Sequence, residues 1–298
     1  MVPIMKLKDK LKLKNRLLRE CLAEFLGTFV LMLFGCAAAA QVKTTNEAKG
    51  QYLSVNLAFA VGVVSAVYIS RGVSGAHLNP AVSLSFCVLG RFQWKRLPFY
   101  TLFQIMGAFA ASGTVFIQYY DAIMQYSGGN LTVTGPLETA SIFATYPSEY
   151  LSFSNAFVDQ VIGTATLLLC ILPLDDSRNS PAPEGLQPLL VGFVVLGIGM
   201  AMSSNCGGAI NPARDLGPRL FTLAAGWGPE VFTAFENWWW IPVVAPLIGG
   251  VTGASLYQLF IEFHHKDPET DQPEAKTREN GASQTNLGDS GSYLTSKF

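Results

Sequence analysis

Two copies of one triplet hold the most specific chemistry in this chain: Asn79-Pro80-Ala81 and Asn211-Pro212-Ala213. Asparagine is a favoured helix N-cap, because its side-chain oxygen accepts a hydrogen bond from an orphan amide of the first turn. Proline suits the next position, where a missing N–H costs nothing. Each triplet is therefore a helix start. Each follows a glycine-bearing segment, residues 72–78 and 203–210, and opens an apolar stretch of about 79–89 or 211–222, too short to cross a bilayer. Set head to head, two such helices would aim their positive dipole ends at one point. The amides of Asn79 and Asn211 would donate there to the oxygen of a neutral solute, whereas a cation or a protonated water chain would meet a positive barrier. Unwound carbonyls at Gly75, Ala76, His77 and Leu78, and at Cys206, Gly207, Gly208 and Ala209, would form a ladder of acceptors facing an apolar wall. Arg214, three residues after Asn211, is a charge at membrane depth that normally lines a water-filled path. The alternative is simple pairing with a neighbour such as Asp215.

The elements around the triplets are those of a polytopic membrane protein. Half of the 298 residues are hydrophobic and 14% are charged, against about a quarter charged in soluble domains. A net charge of −1 gives no case for nucleic-acid binding. Six apolar stretches have roughly the length of a span: about 21–42, 52–70, 97–119, 155–174, 187–203 and 239–263. The predicted fold class is all-α: six transmembrane helices plus two re-entrant half-helices. The halves repeat. Residues 24–28 (EFLGT) recur as 160–164 (QVIGT), and 75–81 (GAHLNPA) recur as 207–213 (GGAINPA). Three spans per repeat is odd, so the second copy enters from the opposite side, and an inverted repeat puts its site at the midplane.

This divides the chain into a basic N-terminal segment (1–20), a channel domain (21–263) and a polar tail (264–298). The channel domain holds repeat 1 (about 21–119), a loop (120–154) and repeat 2 (about 155–263). Lys6, Lys8, Lys10, Lys12, Lys14, Arg16 and Arg19 predict a cytoplasmic N-terminus. The 120–154 connection has no Lys or Arg and is expected outside; the connection with Arg91, Lys95 and Arg96 is expected inside. Asn130-Leu131-Thr132 is a glycosylation sequon on the expected outer face. The tail is expected to be disordered and cytoplasmic. The five cysteines lack metal-ligand spacing and read as packing residues, and neither a metal nor a cofactor is expected. Trp238-Trp239-Trp240 reads as an interfacial anchor.

The stretches AEFLGTF (23–29), SGAHLNPAVS (74–83) and NPARDLGPRL (211–220) resemble the aquaporin (major intrinsic protein) superfamily from about Arg19 to His265. Asp215, Arg219, Tyr120 and Pro242-Val243 look like its aquaglyceroporin subgroup. GGNLTVTGP (128–136), IFATYP (142–147) and LFTLAAGWGPEVF (220–232) are similar to the vertebrate branch that includes the intestinal form. The resemblance implies a selectivity filter of Phe59, Gly199, Gly208 and Arg214, with Asp215 as subgroup marker. Two glycines in four positions imply a wide opening; many glycerol channels keep a larger side chain where Gly208 sits. The resemblance also implies Glu24 and Gln160 as buried braces of the re-entrant loops, a homotetramer with one pore per protomer, and a place in the plasma membrane.

His77, two residues before Asn79, reads either as a ring packed on the half-helix or as a pH-sensitive gate. Cys206 is a candidate for mercurial sensitivity at the outer vestibule. The function expected is passive conduction of water, glycerol and other small neutral solutes such as urea, without ions or protons. An ion-coupled transporter would need intramembrane carboxylates, yet only Glu24, Asp159 and Asp215 offer themselves, unclustered. An ion channel is opposed by Arg214 and the two dipole ends. An intramembrane enzyme lacks a Ser-His, paired-Asp or metal-ligand constellation within the spans.

Overall fold

A computed structural model describes residues 12–183 and 185–266. Lys6, Lys8, Lys10 and nearly all of the expected tail lie outside the described residues. The described residues are helical, with no strand among them. In chain order the helices are α1 (Arg16–Thr44), α2 (Tyr52–Ser74), α3 (Pro80–Val88), α4 (Leu97–Tyr126), α5 (Phe153–Ile171), α6 (Gln187–Met202), α7 (Pro212–Thr222), α8 (Glu230–Asn237) and α9 (Ile241–Phe260). The six expected spans coincide with α1, α2, α4, α5, α6 and α9. Five of these helical runs are long and apolar enough to cross a membrane. The sixth, α6, has 16 residues, about 24 Å at the α-helical rise. The two half-helices are α3 and α7.

Each expected start works as its residues predict. Asn79 is the N-cap of α3, with its side chain accepting from the Ala81 amide at 2.8 Å. Asn211 caps α7 in the same way, accepting from Ala213 at 3.0 Å and Arg214 at 3.3 Å. In both cases Pro occupies the first helical turn.

The packing follows the repeat. In the first half α1 lies against α2 and α4; in the second, α5 lies against α9 and α6. The half-helices cross over: α3 packs on α9, and α7 packs on α4. Each repeat thus holds the other's half-helix. Two glycines set the α1–α4 and α5–α9 contacts at related places. A Cβ on Gly107 of α4 would strike the carbonyl of Phe25, and one on Gly249 of α9 would strike that of Val161. Phe25 and Val161 are themselves repeat partners, so one close helix approach is built twice.

Ion pairs mark the two ends of the bundle. At one end the short α3–α4 connection supplies Arg96 to Glu20 of α1 at 2.9 Å, and Arg91 to Glu262 beyond α9. This end is called the terminal end below. At the other end Lys43 pairs with Glu138 of the long α4–α5 connection, and this is the loop end.

Three details differ from the sequence expectations. Helix α4 runs to Tyr126 rather than about 119, and ends where Gly128 and Gly129 take φ of +64° and +86°. A short helix, α8, stands between α7 and the last span. Trp238 is no interfacial anchor: it is 1% exposed, and its indole Nε1 donates to the Thr145 carbonyl at 2.9 Å. An aromatic run at a helix start reads as a unit in sequence, whereas here Trp238 points into the protein while Trp240 packs on Phe153 and Phe157.

Candidate functional site: a passage between the repeats

The loops before α3 and α7 share one backbone pattern. Gly75, Ala76 and Leu78 have φ of +90°, +56° and +54°; Gly207, Gly208 and Ile210 have +71°, +57° and +40°. Positive φ at Ala, Leu and Ile is strained and survives only where surrounding contacts dictate it. The alternation turns successive carbonyls aside from a helical path, as the unwound segments require.

The loops meet through a reciprocal pair. Asn79 Nδ2 donates to the Ile210 carbonyl at 2.9 Å, and Asn211 Nδ2 donates to the Leu78 carbonyl at 2.8 Å. Each amide has two N–H groups, so one locks the halves together and the other is left without a hydrogen-bond partner among the described residues. Leu78, expected only as an acceptor for solute, also serves the cross-repeat lock.

A cavity of about 1060 Å³ runs past both triplets. Its lining reaches Lys43, Glu47 and Tyr126 at the loop end and Arg71, Arg91 and Asp175 at the terminal end, so it joins the two faces of the bundle. Asn79, Asn211, Gly75, Ala76, His77, Leu78, Gly207, Gly208 and Ala209 line it, as do Phe59, Gly199, Gly208 and Arg214. The apolar wall is supplied by Leu31, Val63, Val67, Val191, Val195 and Ile198. Cys206 stands apart: it is fully buried against Ala156, Trp238, Ile241 and Ala245, with its thiol near the Ala156 carbonyl at 3.9 Å, and it is not among the lining residues. A mercurial in the passage therefore has no exposed thiol to reach at Cys206.

Arg214 faces the passage. Its guanidinium lies 4.8 Å from the centroid of the Phe59 ring, and Nη1 donates to the Phe143 carbonyl at 2.9 Å. It does not pair with Asp215. The Asp215 carboxylate instead accepts from Arg219 Nε at 2.8 Å, the Thr145 amide at 2.8 Å and the Thr145 hydroxyl at 2.5 Å. Arg219, fully buried, also donates to the carbonyls of Val231 at 2.7 Å and Thr145 at 2.6 Å, and sits over the Tyr146 ring. Asp215 thus takes the other arginine, leaving Arg214 free for the passage. The i,i+4 spacing of Asp215 and Arg219 is the signal that identifies the pair. The contribution of Phe143 and Thr145, seventy residues away in sequence, has no such signal.

The braces are unequal. Glu24 accepts four hydrogen bonds: from the amides of His77 at 3.0 Å and Leu78 at 2.6 Å, from Ser74 Oγ at 2.6 Å and from Gln104 Nε2 at 2.7 Å. Gln160 Oε1 accepts one, from the Ile210 amide at 3.3 Å, and its Nε2 donates to Asp159 at 3.1 Å. The His77 ring is enclosed by Phe86, Phe92 and Tyr100, with Nδ1 3.0 Å from Ser83 Oγ. Asn130 is exposed just after α4, and Tyr120 is exposed on α4 against Phe116.

An inverted repeat of membrane helices, clasped by two asparagine-capped half-helices around a through-going cavity, defines a multi-pass membrane pore. The chain belongs to the major intrinsic protein family, whose model matches residues 11–257. It is 54% identical to human Aquaporin-10 over 263 residues, covering 88% of this chain and 87% of that protein. Human Aquaporin-9 is 49% identical over 273 residues, covering 90% of this chain and 92% of that protein. Among solved structures, the aquaglyceroporin from Plasmodium falciparum superposes with a TM-score of 0.75 at 32% identity, covering 83% of this chain and 98% of that one.

Proposed function

We propose that the protein is a passive channel for water, glycerol and other small neutral solutes such as urea, and that it excludes ions and protons. The observation that carries this reading is the reciprocal Asn79–Asn211 lock inside a cavity open to both faces. Two helix N-termini and the Arg214 guanidinium place positive potential on the path, which opposes cations and a protonated water chain. A neutral hydroxyl accepts from the spare asparagine N–H groups and donates to the unwound carbonyls, so little of its hydration is lost without replacement. The apolar wall carries the carbon side of a polyol. Phe59 and Arg214 act as the narrow, selective pair of the ring, with Gly199 and Gly208 opposite. The similarity to Aquaporin-10, Aquaporin-9 and an aquaglyceroporin structure supports the same solutes.

The remaining roles follow. Glu24 and Gln160 brace the strained loops. The protein acts in the plasma membrane as a homotetramer with both termini cytoplasmic, which puts the long loop outside and leaves exposed Asn130 available for glycosylation. Purified protein in liposomes is expected to pass glycerol downhill, with no current and no dependence on sodium or proton gradients. Accumulation of glycerol against its gradient would refute the channel reading.

A pH-sensitive His77 is a second reading, favoured by its position in the lining. The enclosing Phe86, Phe92 and Tyr100 rings serve a charged imidazolium poorly, so protonation of His77 would have to disturb this packing and change glycerol flux. Glycerol flux equal at mildly acidic and neutral pH removes the gate.

A further inference from the structure

The two glycines of the ring are not open positions. An ideal Cβ on Gly199 would stand 2.6 Å from Asn56 Oδ1 and 3.0 Å from Asn56 Cγ, and its three nearest atoms all belong to Asn56. An ideal Cβ on Gly208 would stand 2.9 Å from the Cβ of Ser203. The space vacated by the absent side chains is therefore filled from elsewhere. Asn56 lies three residues before Phe59 on α2, on the same helical face. Ser203 is the C-cap of α6. Both line the cavity.

The two are joined through a backbone atom of the ring. Asn56 Nδ2 donates to the Gly199 carbonyl at 3.3 Å, and Ser203 Oγ donates to the same carbonyl. Tyr52 OH in turn donates to Ser203 Oγ at 2.7 Å. The Gly199 carbonyl thus has both acceptor sites occupied. Asn56 Oδ1 accepts no hydrogen bond from the described residues, although Asn56 lines the passage.

We propose that Asn56, supported by Ser203, is a specificity-determining residue. It supplies both the bulk and the polar group that Gly199 lacks, and its Oδ1 accepts from a solute hydroxyl as the carbon face passes Phe59. Glycine at 199 does not simply widen the passage; it makes room for an amide from the neighbouring helix. A glycine ring with no such replacement would pass solutes on size alone, whereas this one favours a hydrogen-bond donor. The inference deepens the glycerol-channel reading and rests on it.

The test is stopped-flow water and glycerol permeability in liposomes, with wild type measured first. Downhill wild-type glycerol flux keeps the channel reading whatever the variants do. Asn56→Leu keeps the branched shape and removes the amide. It is expected to lower the glycerol-to-water ratio about fivefold, as loss of one hydrogen-bond partner in the passage implies, and an unchanged ratio overturns the polar role. Gly199→Ala is expected to impair both fluxes, because its methyl meets Asn56 at 2.6 Å. Adding Asn56→Ala to Gly199→Ala is expected to restore water flux. A wild-type-like Gly199→Ala, or a well-folded double variant that stays blocked, overturns the steric role.

Discussion

The two re-entrant loops have the same backbone turns and the same asparagine cap, yet they are held by different means. In the first repeat one carboxylate, Glu24, gathers two loop amides, Ser74 and Gln104. In the second, aligning the two repeated triplets puts Cys206 where Ser74 stands, and aligning Gly107 with Gly249 puts Pro246 where Gln104 stands. The Ser74 hydroxyl gives way to a weak thiol donor, which turns to the Ala156 carbonyl, and the Gln104 amide gives way to proline; a neutral Gln160 answers one amide at 3.3 Å. A buried charge without those donors would be costly, so the loss of donors and the change from Glu to Gln belong together. Within the second repeat Asn205 Nδ2 also donates to Asp159 Oδ1 at 2.7 Å, and this half is further secured from outside. Asp215, Arg219 and Thr145 bind α7 to the long loop, and Trp238 adds a bond to Thr145 from the start of α9. Equivalent geometry therefore does not require equivalent chemistry: one loop is fastened through a carboxylate within its repeat, the other through neutral and carboxylate partners of its repeat and by the connection between repeats.

This contrast can be broken in order of expected effect. Arg219→Ala leaves the Asp215 carboxylate buried beside Thr145 without its cation, which costs about 3–5 kcal/mol. We expect little folded protein in detergent. A thermal midpoint near wild type would show that the loop anchor is dispensable. Glu24→Ala strands the amides of His77 and Leu78 and removes one acceptor from Ser74 and Gln104, and should cost on the order of 3 kcal/mol. Gln160→Ala removes one long bond and should cost about 1 kcal/mol. Equal midpoints for the two alanine variants would erase the distinction between the halves. The smallest effect is expected at His77. Replacement by Ala should abolish any change of glycerol flux between neutral and mildly acidic pH. A change that persists in His77→Ala assigns the response to another group.

Much of the fold was legible because its signals are local or repeated. Hydrophobic runs of span length located six helices, and the Asn-Pro-Ala starts located α3 and α7 to the residue. The inverted repeat then predicted that the two starts meet. What escaped depends on partners distant in sequence. Nothing around Arg214 announces the Phe143 carbonyl, because the long loop carries no periodic pattern. Trp238 reads like its neighbours until Thr145 is known to lie beside it. The ring illustrates the same limit: glycine at 199 and 208 reports the absence of a side chain there, whereas Asn56 and Ser203, which occupy the space, are found only by their approach in the fold.

The cross-repeat lock also bears on how the channel is made. Asn79 and Ile210 are 131 positions apart, and Asn211 and Leu78 are 133 apart. A chain emerging from the ribosome completes its first three spans and α3 long before residue 210 exists. Until then the Asn79 amide and the Leu78 carbonyl have no mate at the centre of the bilayer. The first repeat is therefore not half of a working pore, but an unfinished intermediate with a polar seam. The bonds that join the two half-helices can form only once residues 210 and 211 have been made, so the passage is completed from the second repeat.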